Sequence, residues 1–569
     1  MIWFVSDMQR FRREQEAIRE LEREAAAWLV GVGWSIENAH LLYRFELNVS
    51  GEPISLTLRY GHGFPSVPPS IFPDPPRALS GHQYNNGDLC LEYGPDTWVP
   101  NLTGADLVRS AHGLLTTEGT APGSPAAAVP SRHELTMGQV ARSENTRFLL
   151  TVPLQAFLEQ APRSVVGTGS FRFLYNDVTA VFLLASVDGL TADAWSDPEL
   201  PSSLTKKRLL EDGAVVTIPT GLGLPLIPDR AALDRFLRDV GLAALDQEVD
   251  TVVIHCDTET RLLWFHEGKS LSVLTLRARP GQRLASEHAQ LNSKKVGIVG
   301  CGSLGSKLAV MLARAGVDKF VLIDDDVFFP ENIVRHELAW SDVGQHKAEA
   351  LAKRIELVAP SAKSTVRKQR VGGQESNSVA DSTVGLLQDC DLIVDASAEP
   401  TVFNVLSGAA GSSAKPLLWA EVFAGGIGGL IARSRPGIDP PPQDMRASVN
   451  AWCAAQGVAP PRPTGGYGAE SEQGTWLADD TDVTVIAAHA ARFAVDLLLE
   501  RTPSVYADSC YLLGLTQAWV FQAPFDTIPI GFGELQASPS PPFVESDPET
   551  FAAILGLISK GNAEAHPAP

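Results

Sequence analysis

Residues 296–326 read VGIVGCGSLGSKLAVMLARAGVDKFVLIDDD, a stretch whose residue types and spacing could bind phosphate. Gly300, Gly302 and Gly305 follow a β-branched run and open an amphipathic stretch. Such a turn lets the backbone approach an anion at a helix N-terminus, where unpaired N–H groups point outward. A second apolar strand then ends in three acids, Asp324, Asp325 and Asp326. A dinucleotide site needs one acid there for the ribose hydroxyls, so three call for another chemistry. Asn332, Arg335 and, in DVGQHKAEA, Lys347 follow. One acid for a ribose, a second for a metal, and amide, guanidinium and ammonium groups for a polyphosphate compose an ATP site. A further strand, CDLIVDASAEP, is expected to bring Asp395 to the carboxyl edge of the same sheet.

The six cysteines are Cys90, Cys256, Cys301, Cys390, Cys453 and Cys510. No C-x-x-C pair occurs among them, which excludes a four-thiolate zinc site. Cys90 follows a polar turn in NNGDLCLEYG and is expected to be a partly exposed thiol. Cys256 lies in the strand-like TVVIHCD, Cys301 under the glycine turn, and Cys390 before a buried strand, all core positions. Cys453 stands in DMRASVNAWCAAQGVAPPRPTGGYG, where Ala, Gly and Pro predict a mobile segment. Cys510 opens the apolar run YADSCYLLGL and reads as core.

Several bodies must hold these groups, because 569 residues exceed one core. Residues 8–30 predict a charged amphipathic helix with Phe11, Ile18, Leu21, Ala25 and Leu29 on one side. HLLYRFELNV and PISLTLRYG alternate as adjacent antiparallel strands do. FPSVPPSIFPDPP predicts a fixed extended loop. A turn and short strand around Cys90 and a helix from near Thr103 complete a first domain, 1–118. The small, proline-rich GTAPGSPAAAVPS (119–131) begins a linker, 119–144. Residues 145–285 hold the strand-like runs RFLLTVPL, TAVFLLAS, GAVVTIP, DTVVIHCD and RLLWFHEG without a chemical motif, predicting a mixed intermediate domain. Residues 286–535 form the nucleotide-binding α/β domain, and 536–569 a tail with one short helix. The fold class is thus α/β and α+β, multidomain.

The formal net charge of −21 disfavours a nucleic-acid backbone as the main partner. No stretch is apolar for long enough to span a bilayer, and the N-terminus places apolar residues before charged ones, unlike a signal peptide. A cytoplasmic protein without disulfides is expected.

GCGSLGSKLAVMLARAGV, LIDDDVFFPENIVRHEL, VGQHKAEAL and DLIVDAS together resemble the adenylating domain of the ThiF, MoeB and ubiquitin-activating enzyme superfamily, over roughly 285–535. The resemblance implies that MgATP converts a protein C-terminal carboxylate, glycine or similarly small, into an acyl-adenylate. It puts Asp324 on the ribose, Arg335 and Lys347 on the phosphates, and Asn332 at the reacting groups. Members often read DCTDN, with the later Asp on magnesium; here DASAE puts Ala398 at that place, leaving Glu399, Asp395 or Asp326 for the metal. Relatives complete the site with a partner subunit's arginine, which implies a homodimer with Arg277 and Arg279 of TLRARPGQ in that interval. Several members also place a catalytic cysteine where Cys453 stands, favouring it over Cys510 as the first thiol.

The N-terminal helix, the meander, F-P-x-x-P-P, G-x-x-C-L and W-x-P-x-x-T resemble the ubiquitin-conjugating fold, over about 8–118. Cys90 would then be the transfer thiol. His82 and Asn85 or Asn86, in HQYNN, occupy the neighbourhood of the family's His-Pro-Asn motif. The order of the two domains resembles the fused activating–conjugating enzymes of bacterial CBASS antiphage operons. There the transferred protein is a cGAS/DncV-like nucleotidyltransferase or a ubiquitin-like protein. A sulfur-carrier adenylyltransferase is disfavoured by the missing zinc cysteines and the presence of the first domain. A dinucleotide oxidoreductase is disfavoured by N-x-x-R with Lys347, and a non-catalytic adaptor is the remaining alternative.

Overall fold

The computed structural model describes residues 2–80, 83–84, 86–118, 136–142, 144–279, 281, 286–459, 468–471, 474–532 and 550–555. The linker 119–131, His82, Asn85 and most of the tail lie outside the described residues. One compact unit spans residues 1–145 and a second spans 146–569.

In the first unit the helix Met8–Glu24 is capped by Asp7, whose carboxylate accepts the Arg10 N–H. It buries Arg10, Glu14, Ile18 and Leu21 at helical spacing. It ends short of residue 30 because Leu29 begins an antiparallel strand, Leu29–Glu37, beside His40–Val49. The sheet continues through Glu52–Tyr60 to Ser70–Pro73. That last strand corrects the loop expected for the proline-rich stretch; it lies at the sheet edge, where proline is tolerated. Glu14 is fully buried and accepts from the Tyr60 hydroxyl (2.8 Å) and the Gly104 N–H (2.7 Å). Burial raises its pKa, against the opposing pull of these donors and of Arg10. This network ties the first helix to the start of helix Gly104–Glu118.

The second unit contains two large sheets. Residues 146–277 supply a nine-stranded mixed sheet. Its last strand, Leu274–Arg277, pairs in parallel with Thr146–Leu150, leaving Arg277 and Arg279 exposed. Cys256 lies just after Thr251–His255 rather than within it, and is buried.

The eight-stranded sheet runs in the order Lys363–Arg367, Lys319–Ile323, Lys295–Val299, Leu392–Asp395, Leu417–Val422, Gly428–Ser434, Cys510–Gly514, Thr527–Pro529. Its first five strands are parallel. Lys363–Arg367 is a strand the sequence reading omits, since SAKSTVRKQR lacks an apolar run. Alternate strand residues serve opposite faces: Val296, Ile298, Phe320 and Leu322 pack with helices Ser303–Ala315, Lys347–Val358 and Asp480–Leu498. Val299, Val321 and Ile323 pack with Pro400–Ser413 and Pro442–Ala455 on the other. Burial on both faces explains the near-continuous apolar strands. The chain steps from Lys295–Val299 to one side twice, then returns to its other side with Leu392–Asp395. That reversal opens a crevice at the carboxyl ends of these two strands. Among the described residues no helix is long and apolar enough to cross a membrane.

Candidate functional site

Lys295–Val299 runs into Gly300, whose φ of +89° is readily adopted only by glycine. A Cβ there would meet Ser397 N at 2.7 Å and the Ala396 carbonyl at 2.8 Å. The glycine turn therefore packs backbone to backbone on the turn that follows Leu392–Asp395. Gly305 faces inward as well, since a Cβ on it would stand 1.9 Å from the Gly300 oxygen. Gly302 differs: its φ is −75°, nothing lies within 4 Å of its absent Cβ, and it lines a cavity of about 1220 Å³. Two glycines thus serve packing, and the third keeps a helix N-terminus open to an anion.

Asp324, Asp325 and Asp326 line the same cavity. Asp324 Oδ2 accepts the Cys301 N–H (2.7 Å) and Oδ1 the Asp326 N–H (2.8 Å). Burial raises its pKa, while those two donors and Lys347 pull the other way. Its remaining lone pairs can still accept from hydroxyls. Lys347 heads its helix, buried, with its ammonium paired to Asp326 Oδ2. Phosphate oxygens reaching that wall would compete with Asp326 for the ammonium. Arg370 and Glu399 form a second ion pair on the cavity wall (2.8 Å).

Several predicted residues stand elsewhere. Gly305, Asn332, Arg335 and Asp395 are not among the described residues lining the cavity. Asn332 lies in the 3₁₀ turn Pro330–Arg335 and accepts the Phe329 N–H (2.9 Å). Asp395 ends its strand at the carboxyl edge of the sheet, as expected, but its side chain is buried and its Oδ1 accepts the Ser397 N–H (3.0 Å) and hydroxyl (2.6 Å). It shapes the turn at Ala398, which has φ +58° and no ligating group. No ready-made cluster of three metal-ligating side chains occurs among the described residues. Asp326 and Glu399 fit magnesium as single carboxylates, because that ion commonly takes one or two carboxylates together with substrate phosphates.

Sequence reasoning missed His336. Its Nε2 bonds the Cys301 carbonyl (2.8 Å) and its Nδ1 accepts the Leu338 N–H (3.2 Å), which fixes the Nε2–H tautomer. Burial pushes its pKa down to about 4. The unfolded chain, titrating near 6.5, takes up the proton first. Stability from this group is therefore complete above about pH 6.5 and is lost as pH falls towards 4. Between pH 7 and 4, wild type is expected to lose on the order of 2–3 kcal/mol more than His336→Gln in denaturant unfolding. Equal pH dependence would show that the ring is not held neutral.

Cys453 corrects the expectation of a mobile segment. It sits on helix Pro442–Ala455, whose Met445, Val449 and Cys453 repeat every four residues and pack into the sheet. The residues 460–467 beyond it lie outside the described residues. The Cys453 side chain is 0% exposed yet borders the cavity with Asn450 and Arg446, and burial raises its pKa. Cys510 is buried in its strand, with its thiol pushed far up by burial. Cys301 and Cys390 are core residues, as expected.

In the first unit Cys90 is 3% exposed, against the expected partial exposure. Its thiol donates to the Tyr84 hydroxyl at 3.4 Å, and Leu89 and Leu91 flank it in the core. Instead of the expected short strand, Leu89 makes one bridge to Gln83. Asn86 Oδ1 accepts the Asp88 N–H (3.3 Å).

Residues 281–522 match the model of the ThiF family. The ATP-dependent ubiquitin transferase-like protein Cap2 of Pseudomonas aeruginosa is 34% identical over 131 residues, 22% of this chain and 22% of that protein. Ubiquitin-like modifier-activating enzyme 5 of Aedes aegypti is 32% identical over 93 residues, 16% of this chain and 23% of that protein. The chain thus matches under a quarter of the length of either relative. Among solved structures, Escherichia coli MccB with AMPCPP and MccA aligns over 44% of this chain and 67% of that one, at 16% identity and a TM-score of 0.32. The family match falls on the same residues as the glycine turn, the acids and Lys347.

Proposed function

We propose that this chain uses ATP to activate a protein's C-terminal carboxylate, holds the acyl group as a thioester, and passes it to an amine. One observation carries the reading: an open helix N-terminus, Asp324, Lys347 and the Cys453 position border a single cavity. In the first step a carboxylate oxygen attacks the α-phosphorus of ATP and pyrophosphate leaves. The Gly302 turn receives phosphate oxygens, Asp324 accepts from the ribose, and Lys347 exchanges Asp326 for the polyphosphate. Magnesium, held by Asp326 or Glu399, would neutralise phosphate charge.

In the second step a thiolate attacks the acyl carbon and AMP leaves. As it sits, Cys453 is a buried thiol with a raised pKa, so it must lose its proton and turn towards the cavity. In a second reading the acyl group passes from the adenylate directly to Cys90, whose thiol, 3% exposed, must likewise be uncovered. Cys90 is the transfer thiol in both readings, and an incoming amine releases it. A homodimer in which Arg277 and Arg279 approach the other copy's nucleotide belongs to this reading, as does a cGAS/DncV-like nucleotidyltransferase or ubiquitin-like protein as the chain activated.

The test is ATP–pyrophosphate exchange with a purified cGAS/DncV-like nucleotidyltransferase as the probe. Lys347→Met, which removes a charge-assisted contact, is expected to slow exchange roughly tenfold or more. Absence of exchange in wild type, or indifference to both Lys347→Met and Asp324→Ala, would overturn the assignment.

A further inference from the structure

The cavity is lined by more residues than those given to the nucleotide. In the adenylating reading the phosphates would lie at the Gly302 turn and the ribose at Asp324. The strand Leu417–Val422 and the helix Pro442–Ala455 line the same cavity beside them. That helix presents Arg446, Asn450 and Cys453 to the cavity at intervals of four and three residues, one continuous face. Arg446 Nη2 donates to Glu421 Oε1 at 3.2 Å, and its guanidinium carbon lies 4.4 Å from the Phe403 ring centroid. One N–H and one face of the guanidinium are thereby engaged, and the planar fork has further donors. The charge of this arginine acts on both Glu421 and Asp395.

We propose that Arg446 is the docking group for the carboxylate that is to be activated, with Glu421 and Phe403 holding the guanidinium in place. This rests on the adenylating reading and adds the second substrate's position to it. The seven-residue offset from Arg446 to Cys453 spans about 10 Å of helix. The acyl group therefore enters at one end of a ladder whose other end is the candidate thiol. Substrates recognised here carry a free α-carboxylate; an amidated C-terminus lacks the charge that Arg446 reads.

The experiment uses the full chain with N-acetylglycine as probe and N-acetylglycinamide as its uncharged control, followed by saturation-transfer NMR, with ATP titrated in parallel. The acid is expected to bind wild type and the amide not. Arg446→Gln is expected to weaken acid binding about tenfold or more while ATP affinity stays within about twofold. The double variant Arg446→Gln/Glu421→Gln removes both charges of the pair, so it tests the residue without leaving a buried acid unpaired; acid binding should remain lost. Restored binding in the double variant would show that Arg446 only compensates Glu421, and overturns the proposal. Equal binding of acid and amide, or no acid binding to wild type, overturns it too. Failure of wild type to bind ATP would instead sink the adenylating reading.

Discussion

Gly305→Ala is expected to destabilise the nucleotide-binding domain severely, whereas Gly302→Ala should leave it stable and unable to hold ATP tightly. The added methyl at 305 would sit 1.9 Å from a backbone oxygen and 3.2 Å from Ala396 Cβ. Neither neighbour is a flexible side-chain end, so the helix or the glycine turn must move. The cost should be on the order of 3–5 kcal/mol, a fall in Tm of about 10 °C or more. At 302 the φ of −75° suits alanine, and the less favourable N-cap costs about 1 kcal/mol, which the domain tolerates. The methyl enters the space kept for phosphate, so ATP affinity should fall roughly tenfold or more, or about 1.4 kcal/mol. Calorimetric melting and ATP titration on both variants separate the roles. Equal ATP affinity of Gly302→Ala and wild type would remove the anion site from the account.

Arg433→Ala should be the most damaging single change away from the cavity. Arg433 is 0% exposed on the strand Gly428–Ser434, and its Nη1 donates to Asp496 at 2.6 Å. Its Nη2 reaches Ser504 Oγ at 2.8 Å, and the guanidinium lies 4.6 Å from the Phe493 ring centroid. Truncation leaves buried Asp496 with the more distant Arg501 (3.9 Å) as its remaining cation among the described residues and should cost about 3–5 kcal/mol. The pair Arg433→Met/Asp496→Leu, which buries no charge, should recover most of that. Chemical denaturation checks both, and a loss under about 1 kcal/mol for Arg433→Ala would show that water reaches the pair.

The residues proposed for the nucleotide could be read together because they are close in sequence, and the structure brings them to one cavity. Gly300, Gly302, Asp324, Asp326 and Lys347 all belong to two consecutive strand–helix units, and the period of each element is plain. Three residues given to the nucleotide are otherwise engaged: Gly305 in packing, Asn332 in its own turn, and Asp395 in the turn at 396–398. Sequence cannot tell a carboxylate aimed at a ligand from one that bonds the backbone two residues on. Arg446 and Glu421 escaped notice because only the packing of helix Pro442–Ala455 on the strand Leu417–Val422 brings them together. Cys453 was misplaced for another reason. Ala, Gly and Pro after residue 453 suggested a loop, while the four-residue repeat of Met445, Val449 and Cys453 was already helical. In the first unit the strand Leu29–Glu37 was obscured by Gly31, Gly33 and its position at the sheet edge, where most of its side chains are exposed.

The central claim is that activation ends in a thioester on this chain. It is tested most directly on a non-reducing gel of the full chain, ATP and a cGAS/DncV-like nucleotidyltransferase, repeated with thiol reductant. Wild type should show an ATP-dependent adduct that reductant removes. Cys90→Ala should retain an adduct only if Cys453 is loaded first, and Cys453→Ala should then abolish loading altogether. Normal loading of Cys90 in Cys453→Ala selects direct transfer from the adenylate. An adduct that never forms, or one that forms equally without ATP, contradicts the account.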